Sequence, residues 1–262
     1  MFKTRLLSGI VLVLGALLTI MAGGVVLWIT LLCISVIGMQ EFYRVMKIEE
    51  QNFGQLEVMG YIGAVLIYIA LLFQASEFAM VALLFALVVF MSGYVFTYPK
   101  YTIQQVMTAL FGIVYVAVML SYIYQTRCLP DGKLVVWLIF LSSWGSDTCA
   151  YCVGMLIGKH KMAPVLSPKK SVEGAVGGVV GAVLLGCLYA LLLKQPILIY
   201  GILCGVGALI SMVGDLAASA VKRSQDVKDY GHLIPGHGGI LDRFDSVIFI
   251  SPFIYFLAAV FL

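Results

Sequence analysis

Four carboxylates in this 262-residue chain stand where a charge is expensive. Asp215 is the only charged residue between Ile197 and Val221, and Asp147 the only one in the apolar stretch from Leu134 to Gly158. An ionised side chain inside a lipid-embedded helix costs about 2.5–3.5 kcal/mol on insertion scales, so each needs a counter-cation or a function. On a helix, Asp215, Ser219, Lys222 and Asp226 follow one another at intervals of 4, 3 and 4 and share a face. The plainer reading pairs Asp215 with Lys222 or with a neighbouring helix. Asp242 and Asp245 open the last apolar run at i, i+3, after a segment holding Pro235-Gly236 and Gly238-Gly239. Those glycines allow a tight loop whose N–H groups can approach an anion closely. Helix capping explains the two acids alone, but leaves Arg243 and the double glycine unexplained. Three carboxylates (215, 242, 245) entering one pocket would form an all-oxygen site, which suits Mg²⁺ better than zinc. A third run, Trp144 to Tyr151 and then Ser167-Pro-Lys-Lys-Ser171, supplies Asp147 with Lys169 and Lys170. Two such lysines could hold phosphates; a lone pair more simply marks the inner leaflet. Together these groups point to phosphoryl or nucleotidyl transfer, with carboxylates holding Mg²⁺ and basic groups offsetting polyphosphate charge.

The elements that must position them are membrane helices. Apolar residues make up 62% of the chain and charged residues 11%, against about 45–50% and 25% in ordinary soluble domains. Disordered chains, secreted disulfide scaffolds and cytosolic enzymes are thereby excluded. The net charge of +3 offers no basic face for nucleic acid. Nine spans are expected: two within 6–39, divided at Gly23-Gly24, then Val58–Phe73, Phe78–Tyr98, Ile103–Gln125, Leu134–Ile157, Gly174–Leu193, Ile197–Val221 and Ser246–Leu262. The amino-terminal run imitates a signal peptide, but a second apolar run follows at once, so it reads as a retained span. With the N-terminus inside and the C-terminus outside, 13 of the 16 lysines and arginines fall in cytoplasmic segments. The expected fold is an all-α integral membrane protein. Residues 1–130 carry the N-terminal helices and 131–262 carry the motifs, in one continuous membrane domain. Glycines at Gly177/Gly181 and Gly201/Gly205 read as close helix contacts. Cys149-x-x-Cys152 has no second pair and reads as small apolar helix residues. The three histidines lack i, i+4 pairing and are not expected to ligate metal.

The run from Ser219 to Asp245 resembles a known signature. Ser219-x-Val-Lys222-Arg223-x4-Lys228-Asp229-x-Gly231-x2-Ile-Pro235-x-His237-Gly238-Gly239-x-x-Asp242-Arg243-x-Asp245 looks like that of the phosphatidate cytidylyltransferases (CDP-diacylglycerol synthases), at about a dozen positions in 27 residues. The Trp144–Tyr151 and Ser167–Gly178 segments resemble the same family, so the likeness covers roughly the last 120 residues in detail and the rest by hydropathy. Ser171 and Val172 stand where the family more often has Thr and Trp, which bears on local packing. The resemblance implies that phosphatidate and CTP give CDP-diacylglycerol and pyrophosphate. It assigns Asp215 and Asp242 as metal ligands for Mg²⁺, with room for a second cation. Ser219, Lys222, Arg223, Arg243 and Asp245 become catalytic residues, the last a ligand or a residue behind one. Asp147, Lys169, Lys170, Lys228 and the His237-Gly238-Gly239 turn become substrate contacts. It also implies a homodimer in the cell membrane with its active site facing the cytoplasm. An ion-coupled transporter would instead need Asp147 and Asp215 on broken helices within paired repeats. A CDP-alcohol phosphotransferase would need an acidic run that is absent. A CTP-dependent polyprenol kinase is the nearest enzymatic alternative.

Overall fold

The structure is a computed structural model that describes residues 2–49, 54–73, 76–236 and 238–262. It is built almost wholly from helices: α1 (Phe2–Ala22), α2 (Gly24–Val45), α3 (Gln55–Leu72), α4 (Ser76–Thr97), α5 (Ile103–Gly112), α6 (Met119–Cys128), α7 (Gly132–Phe140), α8 (Ser146–Ile157), α9 (Val172–Leu193), α10 (Ile197–Ser224) and α11 (Leu241–Phe261). Wide π turns, Ile113–Val118 and Leu141–Gly145, join α5 to α6 and α7 to α8. Among the described residues, seven helices are long and apolar enough to cross a membrane. Leucines and valines stay exposed along their outer faces, for instance Val26, Val88 and Leu192, where lipid replaces water as the solvent. The chain is a multi-pass membrane protein. The expected fifth and sixth spans, Ile103–Gln125 and Leu134–Ile157, are helical but each divided at a π turn, whereas α10 runs unbroken for 28 residues.

The expected all-α architecture gains one exception. Between α8 and α9, β1 (Lys161–Ala163) pairs antiparallel with β2 (Ser167–Ser171), placing Lys161 opposite Ser171 and Ala163 opposite Ser167. No alternation of apolar and polar residues announces these strands; the hairpin stands on its backbone ladder and on its anchors, described below.

The helices group into two compact units, Met1–Tyr124 with Asp229–Arg243, and Gln125–Lys228 with Phe244–Leu262. In the first, two buried tyrosine hydroxyls are hydrogen-bonded within the helices, which counts for most where no water competes. Tyr43 donates to the Ala109 carbonyl at 2.7 Å, and Tyr68 pairs with Ser35 at 2.8 Å. In the second, glycines set the helix spacing as the sequence suggests. Gly177 and Gly181 let α9 lie on Val153 and Cys149 of α8, while Gly201 and Gly205 seat α10 against Cys187 and Val183 of α9. Cys149 is thus a packing residue, and all six cysteines are free thiols.

The candidate active site

Motif residues from three separate segments meet in the second unit. A cavity of about 580 Å³ is lined by Asp147 and Tyr151 of α8, Lys169 and Lys170 of β2, and Met212 and Asp215 of α10. The π turn explains how Asp147 arrives there. Such a turn inserts a residue into the helical register and rotates everything after it by roughly 100°. Here it also buries Ser142, Ser143 and Ser146 together. Ser142 donates back to the Leu138 carbonyl at 2.6 Å, and Ser143 bonds to Ser246 of α11 at 2.7 Å. Asp147 begins the next turn, half-buried.

Asp215 answers the cost argument directly: its carboxylate forms an ion pair with the Lys170 ammonium, each side chain 24% exposed. The plainer expectation pairs Asp215 with Lys222 or with a neighbouring helix; the partner is a lysine 45 residues away on the hairpin. Beside Asp215, Gly214 lies against the Phe249 ring and the Asp245 carbonyl, so α10 and α11 cross closely at this level. Asp245 is buried there and accepts the Ser246 N–H at 2.8 Å. Further along α10, Ser219 is half-buried, Lys222 is buried and Arg223 is exposed. Asp226 departs from the expected face. The helix ends at Ser224, and Asp226 takes a left-handed conformation (φ 55°) in a turn closed by the Val227 N–H on the Lys222 carbonyl at 3.0 Å. Arg223 donates to the Val227 carbonyl at 2.9 Å and seals that turn, a hydrogen-bonded end of the kind helices commonly adopt. Lys228 follows, exposed.

The hairpin that carries both lysines is tied down by a residue sequence reasoning passed over. Glu173, in the first turn of α9, accepts the Lys159 N–H at 3.1 Å and the His160 N–H at 3.2 Å, and its other oxygen meets the His160 ring at 2.6 Å. Ser171 caps the same helix by accepting the Gly174 N–H at 3.1 Å. The sequence signal was a serine two residues before a glutamate at a helix start. Glu173→Gln is expected to loosen the hairpin and raise KM for the nucleotide about 3- to 10-fold while changing kcat less, as read by steady-state kinetics.

The glycine loop and Asp242 belong to the first unit. Gly236 and Gly238 adopt φ 78° and 88°, as a tight turn requires, and the Ile234 N–H bonds to the Gly238 carbonyl at 2.8 Å. His237 lies outside the described residues. Asp242 is 5% exposed, and its Oδ2 accepts the Tyr230 N–H at 2.8 Å and the Gly239 N–H at 2.9 Å. The Gly239 amide, offered to an anion by the sequence, is therefore donated within the loop. Arg243 follows, its own N–H on the Ile240 carbonyl at 2.9 Å.

Over this geometry, the sequence profile of the cytidylyltransferase family matches residues 3–261. The chain belongs to that family. Among curated relatives of this cytidylyltransferase-family chain, the phosphatidate cytidylyltransferase of Bacillus subtilis (strain 168) is 33% identical over 269 residues, covering 99% of this chain and 98% of that protein. Those of Staphylococcus epidermidis (strain ATCC 12228 / FDA PCI 1200) and Staphylococcus aureus (strain COL) are each 34% identical, over 264 and 266 residues, covering 97% of this chain and 98% of theirs.

The donor set also fits a hard divalent cation. Its acids are oxygen donors, and the Asp215 carboxylate already holds a cationic group in the Lys170 ammonium. Among the described residues no three acid, histidine or cysteine side chains converge on one point. The three-carboxylate site expected from residues 215, 242 and 245 is thus not found among the described residues, and the fit rests on the one or two carboxylates that Mg²⁺ usually takes, with water and substrate phosphates completing its shell.

Proposed function

We propose that this chain is the membrane nucleotidyltransferase that makes CDP-diacylglycerol and pyrophosphate from CTP and phosphatidate, a step of phospholipid synthesis. The observation that carries the reading is the cavity in which α8, the hairpin and α10 bring Asp147, Lys169, Lys170 and Asp215 together. Paired lysines suit a polyphosphate, and the apolar side chains around them suit a lipid headgroup's neighbours. The family match and the relatives' shared name agree with this chemistry.

A phosphatidate phosphate oxygen attacks the α-phosphorus of CTP in line. The new bond is the P–O–P link of the CDP-lipid; the bond broken joins the α-phosphorus to the oxygen bridging it to the β-phosphate, and pyrophosphate leaves. No strong base is required, since a phosphate monoester with a second pKa near about 6 is already largely ionised at neutral pH. The chain's task is positioning and charge compensation. Lys169 and Lys170 would hold phosphate oxygens, with Ser219, Lys222, Arg223, Lys228 and Arg243 contributing donors by the motif match. That match also assigns Mg²⁺ to Asp215 and Asp242, where the ion when bound would offset charge building on the pyrophosphate.

The reading extends to nine crossings, a cytoplasmic N-terminus, an active site on the cytoplasmic face and a homodimer. What supports the orientation is the distribution of lysine and arginine along the chain. A transporter would place both intramembrane aspartates on broken helices, and α10 is unbroken.

The test of function is labelled CTP with phosphatidate and Mg²⁺ on purified protein: labelled CDP-lipid and stoichiometric pyrophosphate are expected. With polyprenol in place of phosphatidate and CTP labelled at the γ-phosphate, labelled polyprenyl phosphate with CDP as co-product would favour the kinase instead. For orientation, Lys161→Cys is expected to react with a membrane-impermeant maleimide only after the cytoplasmic face is opened; labelling in intact cells would reverse it.

A further inference from the structure

Glu41 is a buried carboxylate that the reaction described above does not use. It lies near the end of α2 and is 4% exposed. Its two oxygens reach across some two hundred residues of chain: Oε1 accepts the Ile240 N–H at 3.0 Å and Oε2 the Leu241 N–H at 2.8 Å. Leu241 is the first residue of α11, so these are N–H groups that the helix's own ladder leaves unbonded. Asp242 takes two more, from Tyr230 and Gly239. Two carboxylates thus gather four amides of the loop and the helix start, beside the loop's own bond from the Ile234 N–H to the Gly238 carbonyl.

The glycines of the loop agree with this arrangement. At Gly231 and at Gly239 the nearest atoms that an added Cβ would meet belong to the Glu41 side chain. Neither glycine needs a positive φ, unlike Gly236 and Gly238. Their smallness serves the approach of Glu41.

We propose that Glu41 is a positioning residue that fixes the 229–241 loop and the first turn of α11, and through them the place of Asp242. It touches no substrate in this scheme. The proposal extends the nucleotidyltransferase reading, and its kinetic arm rests on that reading. Glu41→Gln keeps the shape of the side chain but turns one acceptor oxygen into an amide N–H facing another N–H. Gly231→Ala leaves every charge in place and displaces the Glu41 carboxylate sterically, so it tests the same contact by an independent route.

Hydrogen–deuterium exchange in the purified full chain reads the amides themselves. Both variants are expected to speed exchange in the peptide covering residues 229–242 by about tenfold or more, with peptides of α9 and α10 unchanged. Kinetics with CTP and phosphatidate are expected to show kcat lowered about 10- to 100-fold and KM for CTP changed less than about twofold, the range found when a supporting partner of a functional group is removed. A loop whose exchange stays at the parent rate in both variants overturns the proposal. So does faster exchange spread evenly over the whole protein with kcat preserved, which is the pattern of a merely structural residue. The exchange readout holds whatever reaction the protein catalyses, so loss of the CDP-lipid reading would void only the kinetic arm.

Discussion

Asp242→Asn is expected to lower CDP-lipid formation on the order of 10³-fold while leaving the protein folded. Two functions of this side chain separate in that substitution. Its Oδ2 accepts the Tyr230 and Gly239 N–H groups at 2.8 and 2.9 Å, and asparagine retains one carbonyl oxygen able to accept both. What asparagine loses is the negative charge, which strengthens a Mg²⁺ ligand greatly and which a loop acceptor does not need. Asp242→Ala behaves differently: it strands two buried N–H groups, at about 1–3 kcal/mol each, so loss of activity there mixes chemistry with folding. The measurement is therefore a pair, turnover of labelled CTP and the thermal midpoint in detergent. Turnover collapsing in Asp242→Asn at an unchanged midpoint supports ligation. Full activity in Asp242→Asn would remove Asp242 from the chemistry and leave it a loop-holding residue.

The contrast between Asp242 and Glu41 shows what a sequence can disclose. Asp147 and Asp215 stood out because each interrupts a long apolar run, and the cost of an unpaired charge in lipid demands a reason. That reason is found for Asp215, in Lys170. The glycine spacings of α9 and α10 were equally legible, since small residues at four-residue intervals have few other uses in lipid. Glu41 gave no such signal. It sits at the end of a span, near Arg44, where an acid is cheap, and its partners Ile240 and Leu241 are distant in the chain and contribute only backbone. Backbone amides carry no residue identity, so no side-chain pattern could point to them. The same blindness explains the π turn before Asp147 and the β hairpin: both are backbone arrangements whose sequences, Leu-Ser-Ser-Trp-Gly and Ser-Pro-Lys-Lys-Ser, fit ordinary helix and loop equally well. The last helix, expected from Ser246, begins at Leu241. Glu41 bonds its first amides, which lets a helix start on two acids and an arginine ahead of the apolar run.

Lys170 carries the second large effect, and its sign differs between the two ligands. The Lys170 ammonium neutralises Asp215. Both groups also line the cavity proposed for the triphosphate. Lys170→Met keeps the length and apolar stem of the side chain while removing the charge. Asp215 is then left without its counter-cation, and the cavity with Lys169 but one phosphate donor fewer. A divalent cation no longer competes with an ammonium for the carboxylate, so half-saturation by Mg²⁺ is expected at lower concentration. Measured by Mn²⁺ binding in the absence of nucleotide, that gain should be at least several-fold, with an upper limit of about 10³-fold set by the Coulomb energy of such a pair, about 4 kcal/mol at an effective dielectric near 20. Kinetically, kcat/KM for CTP should fall about 100-fold, because a charge-assisted phosphate contact is lost from the transition state. A purely structural ion pair predicts otherwise: weaker cation binding through a disordered Asp215, a lower thermal midpoint, and no selective loss against CTP. Lys170→Arg sharpens the distinction. Arginine retains the charge and should preserve cation competition, yet its planar fork cannot reproduce a compact ammonium in a cavity this size. Activity restored by arginine would mean that charge alone is required at this position. Activity still lost, with cation binding back at the parent value, would mean that the lysine also fixes where the phosphate sits.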